Sequence, residues 1–248
     1  MTTGFSSPIV AIPSRLASTR LPNKPLADIG GDPMIVHVWR RAMESEVGPV
    51  FVACGDEPIA EAIEKAGGIA IMTDPNHPSG SDRIYEALKS VDPDSKHDAI
   101  VNLQGDLPTL DPWAIRAVLS PLAHPEVDIA TLVAVIKEDK ERVDPSVVKA
   151  VLSLRTGETA GKALYFSRAT VPWGEGDLYH HIGIYAYRRE SLARFVSLPR
   201  GVLEMREKLE QLRALEAGMR IEAALVDAVP LGVDTQEELE TARSMLVG

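Results

Sequence analysis

The feature that most constrains the fold is the alternation of short β-branched runs with amphipathic segments in the first half of the chain. The run PIVAI at residues 8–12 predicts a strand. Residues 33–46 predict a helix, because Met34, Ile35, Val38 and later apolar residues recur at helical spacing. The same alternation continues through residues 98–104. A strand–helix–strand rhythm of this kind predicts an α/β fold with a mostly parallel, doubly wound sheet.

The pattern changes after about residue 125. Four strand-like runs lie close together with few helical segments between them, which predicts mixed or antiparallel strands appended to the parallel sheet. A helix is predicted over residues 203–217 and a closing helix over residues 236–246. Because no repeat, low-complexity segment or linker interrupts the chain, we predict one domain over residues 1–248.

The charge balance excludes one large class of functions. The chain carries 26 Lys and Arg against 36 Asp and Glu, a formal net charge of −10. No net positive field draws such a protein to nucleic acid, so a general nucleic-acid partner is not expected. Any bound polyanion must be held by a local group of cations.

Cysteine use and hydropathy bear on location. Cys54 is the only cysteine, so no internal disulfide forms, and a reducing compartment is the simplest interpretation. The N-terminal residues lack a signal-peptide pattern. No apolar run reaches the roughly 20 residues that span a bilayer. These observations predict a cytoplasmic protein with no membrane partner.

Three cations follow the first predicted strand. Arg15, Arg20 and Lys24 lie in a loop, residues 13–25, that is rich in proline and small residues. Ligands of open α/β sheets bind at the carboxyl ends of the strands, and cations beside backbone N–H groups stabilise phosphate oxygens. The Walker and dinucleotide glycine patterns are absent. The loop is therefore a phosphate site of another kind or a solvated basic loop.

Two aspartates are candidate metal ligands. Asp106 follows the strand predicted over residues 98–104, and Asp234 precedes the closing helix. Mg²⁺ prefers a few carboxylates together with substrate phosphates, so two carboxylates in one cleft would suit it. The alternatives are a turn aspartate at residue 106 and a helix cap at residue 234. Thr235 and Glu238 have the spacing of a capping box.

Two further segments allow both a functional and a structural interpretation. In the segment HPSGSDR, residues 77–83, Gly80 permits close approach of a flat base, whereas Ser79 suits a helix N-cap. Glu204 and Gln211 are seven residues apart in the predicted helix and share one face. The residues by themselves favour a solvent-facing helix with salt bridges.

Six segments together resemble the 3-deoxy-manno-octulosonate (Kdo) cytidylyltransferases, the CMP-Kdo synthetases, over about residues 9–243. The segments that carry the resemblance are VAIPSRLASTRLPNKPLADIGGDPMIVHVWRRA, VNLQGDLP, ALYFSRATVPW, HIGIYAYR, LEMREKLEQLRALEAG and GVDTQEELE. The first is also similar to other nucleotidyltransferases, including sialic acid cytidylyltransferases. The YFSR, HIGIYAYR and LEQLR segments are more specific and favour Kdo.

The resemblance implies a Rossmann-like nucleotidyltransferase fold and a homodimer. It implies an enzyme that couples CTP and Kdo to CMP-Kdo and pyrophosphate with Mg²⁺, for lipopolysaccharide biosynthesis. Residues 1–125 would form the nucleotide-binding half. Residues 126–230 would form the sugar-binding and dimerisation portion.

The same resemblance assigns roles to individual residues. Those placed in catalysis are Arg15, Lys24, Asp106 and Asp234, with the two aspartates as metal ligands and the two cations on the CTP phosphates. Those placed around the nucleotide, besides Arg15, Lys24 and Asp106, are Ala11, Ser14, Ser79 and Gly80. Those placed around the sugar are Arg168, His181, Tyr185, Glu204 and Gln211.

The chain departs from the family pattern at three places. It has QGDLP where QGDEP is usual, SGSDR for SGTDR and IPSR for IPAR. Leu107 thus removes a carboxylate beside Asp106. Two alternatives stay open: the same chemistry on another acidic sugar, such as an 8-amino Kdo analogue or a sialic acid, and a non-catalytic nucleotide-binding module.

Overall fold

The computed structural model describes residues 7–18 and 20–247. Its strands are β1 (Pro8–Ser14), β2 (Asp28–Ile29), β3 (Asp32–Pro33), β4 (Val50–Cys54), β5 (Ile69–Met72), β6 (Ala99–Leu103), β7 (Ile129–Val135), β8 (Lys149–Ser153), β9 (Ala160–Ser167), β10 (Tyr179–Arg188) and β11 (Ile221–Val226). Its α-helices are α1 (Met34–Glu44), α2 (Glu57–Lys65), α3 (Gly80–Val91), α4 (Pro112–Ala117), α5 (Asp139–Val143), α6 (Arg189–Ser197), α7 (Val202–Glu207), α8 (Gln211–Glu216) and α9 (Gln236–Val247). Within the described ranges, none of these helices is long and apolar enough to cross a bilayer.

The chain divides into two compact units. The first contains residues 7–116 and 230–247, so helix α9 returns to the unit that holds β1 to β6. The second is Ala117–Val229. The assignment of the whole chain to one domain stays a prediction.

The first unit is built on four parallel strands in the order β5-β4-β1-β6. Every residue of β4 and β6 is buried, as expected for parallel strands covered on both faces. In chain order the four strands are β1, β4, β5 and β6, so the spatial order across the sheet is third, second, first, fourth. The strand order therefore reverses between β1 and β6, and ligands of open α/β sheets bind at such a reversal.

A small hydrophobic cluster attaches α9 to the first unit. Leu239 and Ala242 of α9 and the preceding Val233 pack with Met34 of α1 and with residues of the loop that follows β1. Burying these side chains holds residue 234 against that loop. The cluster places two segments more than 200 residues apart at one end of the sheet.

The second unit has the mixed strand arrangement that its sequence predicts. Its strands follow the order β10-β7-β11-β9-β8; β7 and β11 are parallel and the other neighbours are antiparallel. The start of β10 also pairs with β8. The two ends of the strand order are therefore joined, and the five strands close on themselves.

A bulge in β10 shapes one face of this unit. Ile182 pairs with Leu132, but the next paired residue, Tyr185, pairs with Thr131, so Gly183 and Ile184 are extra residues on the β10 side. His181 and Tyr185 then lie opposite β7 residues that are two apart and share a face. Their rings come within 5.5 Å, centroid to centroid.

The single helix predicted over residues 203–217 is wrong. The segment forms two short helices, α7 and α8, separated at Lys208, whose φ of 56° is left-handed. The Glu216 carboxylate at the end of α8 accepts the backbone N–H of Leu203 at 3.1 Å, so α8 folds back onto the start of α7. Helix periodicity gave no sign of this side-chain-to-backbone contact.

Helix α9 starts with a capping box. Thr235 Oγ1 accepts the Glu238 N–H at 3.3 Å, and the Glu238 carboxylate accepts the Thr235 N–H at 2.8 Å. Thr235 is therefore the capping residue. The carboxylate of Asp234, the alternative cap, points elsewhere.

Replacing the cap tests this assignment. Thr235→Ala is expected to lower the free energy of unfolding by about 1 kcal/mol, because the Glu238 N–H at the helix start loses its acceptor. Thr241→Ala is the matched control in the same helix and should stay within about 0.5 kcal/mol of the parent. Urea unfolding measures both; equal losses in the two variants would contradict the cap.

Candidate active site

A cavity of about 420 Å³ lies in the first unit where β1 and β6 end. It is bounded by the residues after β1, the start of α3 and the turn after β6. The described residues that line it are Pro13, Ser14, Arg15, Ala17, Ser18, Arg20, Lys24, Pro25, His77, Ser79, Gly80, Arg83, Gln104, Gly105 and Asp106. The cavity thus occupies the reversal point of the strand order.

Cations dominate the lining of this cavity. Arg15, Arg20, Lys24 and Arg83 all contribute, although the chain as a whole has a net charge of −10. The Ser14 hydroxyl is buried and has no hydrogen-bond partner in the described part of the chain. A local positive field with an unsatisfied polar group suits a polyanionic ligand that also carries hydrogen-bonding groups.

One ammonium holds the two candidate metal ligands. Lys24 Nζ donates to Asp106 Oδ2 at 2.9 Å and to Asp234 Oδ1 at 2.9 Å. The Lys24 side chain is 15% exposed, whereas the two carboxylates are more open. The backbone adds a second link, since Val233 N donates to Asp106 O at 2.9 Å. The two carboxylates therefore converge on one point.

The charges of this group stabilise one another. Burial acts to lower the pKa of the Lys24 ammonium, but Asp106 and Asp234 outweigh it and raise that pKa above its ordinary value. Burial acts to raise the pKa of Asp234, but Lys24 and Arg20 outweigh it and the pKa is lowered. Lys24 and Asp234 are therefore both ionised at neutral pH.

The two residues of the HPSGSDR segment have local structural roles. Ser79 caps α3: its hydroxyl accepts the Asp82 N–H at 3.2 Å and donates to the Asp82 carboxylate at 2.7 Å. A Cβ at Gly80 would lie 3.0 Å from Pro13 Cγ, so glycine allows α3 to approach the end of β1 closely. Both residues nevertheless line the cavity.

The role of Ala11 at the nucleotide stays a prediction. Ala11 is fully buried in the middle of β1, between Phe51 of β4 and Asn102 of β6. It is not among the lining residues of the cavity. A strand with neighbours on both sides exposes its carboxyl end to ligands, which is where Ser14 and Arg15 lie.

Arg83 is a candidate that the sequence analysis missed. It is only 2% exposed, and its guanidinium donates to Thr73 Oγ1 at 2.6 Å and to Pro75 O at 3.2 Å. Burial lowers its pKa, and the neighbouring Arg15 lowers it further. The signal was present as the last residue of SGSDR, but the motif was considered only for its serines and glycine.

Leu107 replaces the usual glutamate beside Asp106 and is buried. It is 8% exposed, and its Cδ2 would contact a Cβ at Gly232 at 3.8 Å. The side chain therefore packs near the segment that leads to Asp234. At this position an apolar residue adds contact between the two aspartate segments, where a glutamate would add charge.

In the second unit, Arg168 is held in place by backbone groups. Its Nε donates to Glu207 O and its Nη1 to Pro145 O, both at 2.9 Å. The Glu207 carboxylate accepts the Arg168 backbone N–H at 3.0 Å. No protein partner of Nη2 is found in the described ranges. An anchored guanidinium with an open edge suits a carboxylate ligand.

Lys149 supports the same region, and the sequence analysis missed it. Its ammonium is fully buried and donates to three backbone carbonyls, those of Asp144, Val147 and Arg168, at 2.6, 2.8 and 3.3 Å. Burial lowers its pKa. It lies inside a strand-like run, and its sequence context carries no signal of this burial.

His181 and Tyr185 lie together beside the β10 bulge. His181 packs edge-on against Phe166, with ring centroids 4.9 Å apart, and its ring centroid is 5.5 Å from that of Tyr185. Burial lowers the pKa of His181 to about 3 and raises that of Tyr185 well above its ordinary value. Both rings are therefore neutral at physiological pH.

Glu204 and Gln211 do not share a helix face, since they belong to different helices. Glu204 is 3% exposed, and its carboxylate accepts from Arg213 Nη2 at 2.7 Å and Arg213 Nε at 2.9 Å. Burial acts to raise its pKa, but this pairing lowers it. Gln211 is also buried, and its Nε2 has no partner in the described part of the chain. The expected solvent-facing salt bridges are replaced by a buried ion pair.

Comparison with known proteins shows the family of this chain. Residues 9–221 match the family described as cytidylyltransferase. The chain belongs to the cytidylyltransferase family. The resemblance drawn from the sequence motifs is thereby confirmed.

Curated relatives in this family match along almost their whole length. The 3-deoxy-manno-octulosonate cytidylyltransferase of Paramagnetospirillum magneticum is 64% identical over 240 residues, which covers 97% of this chain and 98% of the relative. The protein of the same name from Rhodospirillum centenum is 64% identical over 246 residues, covering 99% and 96%. The similarity therefore includes both units.

Solved structures of similar fold include two cytidylyl-transferring proteins. A CMP:2-keto-3-deoxy-manno-octonic acid synthetase in complex with CTP is 39% identical, with a TM-score of 0.89 over 98% of this chain and 99% of the other. A cytidylyltransferase from Leptospira borgpetersenii is 17% identical, with a TM-score of 0.62 over 97% and 87%. The second likeness concerns the fold alone. The mixed α/β fold expected from the sequence is confirmed.

Proposed function

We propose that this protein transfers the CMP group of CTP to the anomeric hydroxyl of Kdo and releases pyrophosphate. The observation that carries the proposal is the convergence of Asp106 and Asp234 on Lys24 beside a cavity lined by cations. The relatives' names and the CTP complex of the 39% identical synthetase support the choice of substrates.

The first unit would bind the nucleotide. Its strand order matches the first half of a Rossmann-like sheet, and in such sheets the phosphates lie at the reversal point. Arg15 and Lys24 would pair with the triphosphate, and the buried guanidinium of Arg83 adds positive charge behind them. Ser14, Ser79 and Gly80 would line the cytidine pocket.

The residues around Lys24 also fit a divalent cation, which we propose to be Mg²⁺. Mg²⁺ takes hard oxygen ligands, commonly one or two carboxylates with substrate phosphates and water. Asp106 and Asp234 supply two converging carboxylates, each partly open to solvent. No cluster of three or more acidic, histidine or cysteine side chains is found in the described residues, so phosphates and water would complete the shell. When bound, the cation would neutralise phosphate charge and acidify a coordinated hydroxyl.

The transfer itself is a substitution at phosphorus. The anomeric hydroxyl oxygen of Kdo forms a bond to the α-phosphorus, the bond from that phosphorus to the pyrophosphate oxygen breaks, and the hydroxyl proton passes to solvent. The task of the protein is to align the two oxygens and to offset the charge that accumulates on pyrophosphate. Arg15 and Lys24 would supply that charge compensation.

The second unit would bind the sugar. Arg168 would pair with the Kdo carboxylate through its open edge, and neutral His181 and Tyr185 would bond sugar hydroxyls. The unpartnered amide of Gln211 would do the same. Because Arg213 and Arg200 already occupy the Glu204 carboxylate, we propose that Glu204 acts by holding Arg213 rather than by contacting the sugar directly.

The resemblance also supports proposals about the oligomeric state and the cellular location. We propose a homodimer in the cytoplasm, where CTP is available and the buried thiol of Cys54 stays reduced. The product would supply activated Kdo to lipopolysaccharide. Size-exclusion chromatography with light scattering measures the assembly state directly.

The activity is tested by pyrophosphate release from purified protein with Mg²⁺. Release is expected only when CTP and Kdo are both present, because the attacking hydroxyl belongs to the sugar. ATP, GTP and UTP serve as nucleotide controls. Turnover with a sialic acid or an 8-amino Kdo analogue but not with Kdo would change the proposed substrate. CTP binding without turnover of any acidic sugar would favour a binding module.

The paired carboxylates give a sharper prediction. Asp106→Asn and Asp234→Asn should each lower kcat on the order of 100-fold or more, because one anionic ligand and its charge are lost. Asp94→Asn, at an exposed carboxylate paired with Lys96, is the control and should retain the parent rate. Near-normal kcat in either test variant, with its thermal unfolding unchanged, removes that residue from the proposed metal site.

Replacing Arg168 is expected to change the KM for Kdo much more than the KM for CTP. Arg168→Ala should raise the KM for Kdo more than tenfold while the KM for CTP stays within about twofold, because a charge-assisted bond to the sugar carboxylate is lost. Arg155→Ala, at an exposed arginine of the same unit, is the matched control. A rise in the KM for CTP instead would contradict the carboxylate role.

A further inference from the structure

The hydroxyl of Thr131 lies opposite the bulge in β10 and is fully buried. Its Oγ1 is 2.8 Å from the carbonyl oxygen of Ile184, 3.2 Å from that of Ile182 and 3.1 Å from Nε2 of His181. The two extra residues of the bulge turn both carbonyls toward β7. One side chain therefore meets three polar groups in a dry environment.

The proton count of these groups decides the direction of each bond. A threonine hydroxyl carries one hydrogen and two lone pairs, and a carbonyl oxygen only accepts. The hydroxyl hydrogen therefore goes to Ile184 O, the nearer carbonyl, or is shared with Ile182 O. Toward His181 the oxygen of Thr131 then acts as acceptor, and Nε2 must carry the hydrogen.

Burial allows His181 only one hydrogen on its ring. Removal from solvent, with a smaller contribution from His180, lowers the pKa of His181 to about 3, so the imidazole is neutral at pH 7. A neutral imidazole with hydrogen on Nε2 has a lone pair on Nδ1. Within the described ranges no protein group bonds Nδ1, and the rings of Phe166 and Tyr185 fix the ring plane.

We propose that Thr131 is a positioning residue that sets the tautomer of His181, so that Nδ1 accepts a hydrogen bond from a sugar hydroxyl. The proposal rests on the function given above, which places His181 at the sugar. A site that offers only an acceptor favours a hydroxyl at that position of the sugar and rejects an analogue in which it is removed or methylated.

The tautomer is measured without substrate by long-range ¹H–¹⁵N correlation spectra of histidine-labelled protein at pH 7. His181 is assigned by the signal that disappears in His181→Asn. The expected spectrum has a pyrrole-like Nε2 and a pyridine-like Nδ1. The opposite tautomer, or a protonated ring, in the parent protein would overturn the proposal whatever the variants do.

Variants at Thr131 test the cause. Thr131→Val removes the acceptor at nearly constant volume and is expected to shift the tautomer and to raise the KM for Kdo more than tenfold, with the KM for CTP within about twofold. Thr131→Ser retains the hydroxyl and should restore the parent values. Thr170→Val is the control at an exposed threonine of the same unit. An unchanged tautomer and KM in Thr131→Val would refute the proposal.

The experiment distinguishes a variant that does not fold from a failure of the proposed function. If Thr131→Val does not fold, Thr131→Ser and the parent spectrum still carry the test. If no acidic sugar is turned over by the parent protein, the proposed function fails, and the spectrum alone confirms or overturns the tautomer.

Discussion

The arrangement of the first unit depends on the ion pairs that Lys24 makes with Asp106 and Asp234. These partners are 82 and 210 residues away along the chain. An ammonium shared by two carboxylates is stable in a partly buried place only when all three segments stay fixed. The parallel strands fix Asp106, and the capped helix α9 with its hydrophobic cluster fixes Asp234. A link of this length costs little more entropy than a shorter one, because loop closure grows only slowly with length.

Cations at the cavity explain how a chain with a net negative charge can bind an anionic ligand. Overall charge repels a triphosphate, but four cations at one sheet end reverse the sign locally. In the proposed reaction Asp106 and Asp234 would bind the metal. Lys24, which pairs with both carboxylates in the free protein, would then pair with phosphate.

In the second unit, an irregularity in one strand brings candidate sugar-binding side chains together. A regular β10 would place His181 and Tyr185 about 13 Å apart, four residues along one strand. The bulge at Gly183 and Ile184 brings their rings together and turns two carbonyls toward Thr131. A glycine inside a strand pattern is a known signal for a bulge, but not for which residues it brings together. The ion pair of Glu204 with Arg213 was likewise not predictable from the sequence. It joins α7 and α8, which helical periodicity predicts as a single helix.

The sequence by itself determined the parallel strands, the mixed strands of the second half, and the residues at strand ends, because hydrophobic period and turn residues act locally. Its motifs also determined the family. Only the tertiary structure decided that Lys24 joins Asp106 to Asp234, that Ala11 is buried, and that Lys208 divides a helix. These outcomes depend on contacts between segments far apart in the chain, where partner choice follows from packing and from pairing of buried charges. No local pattern contains that information.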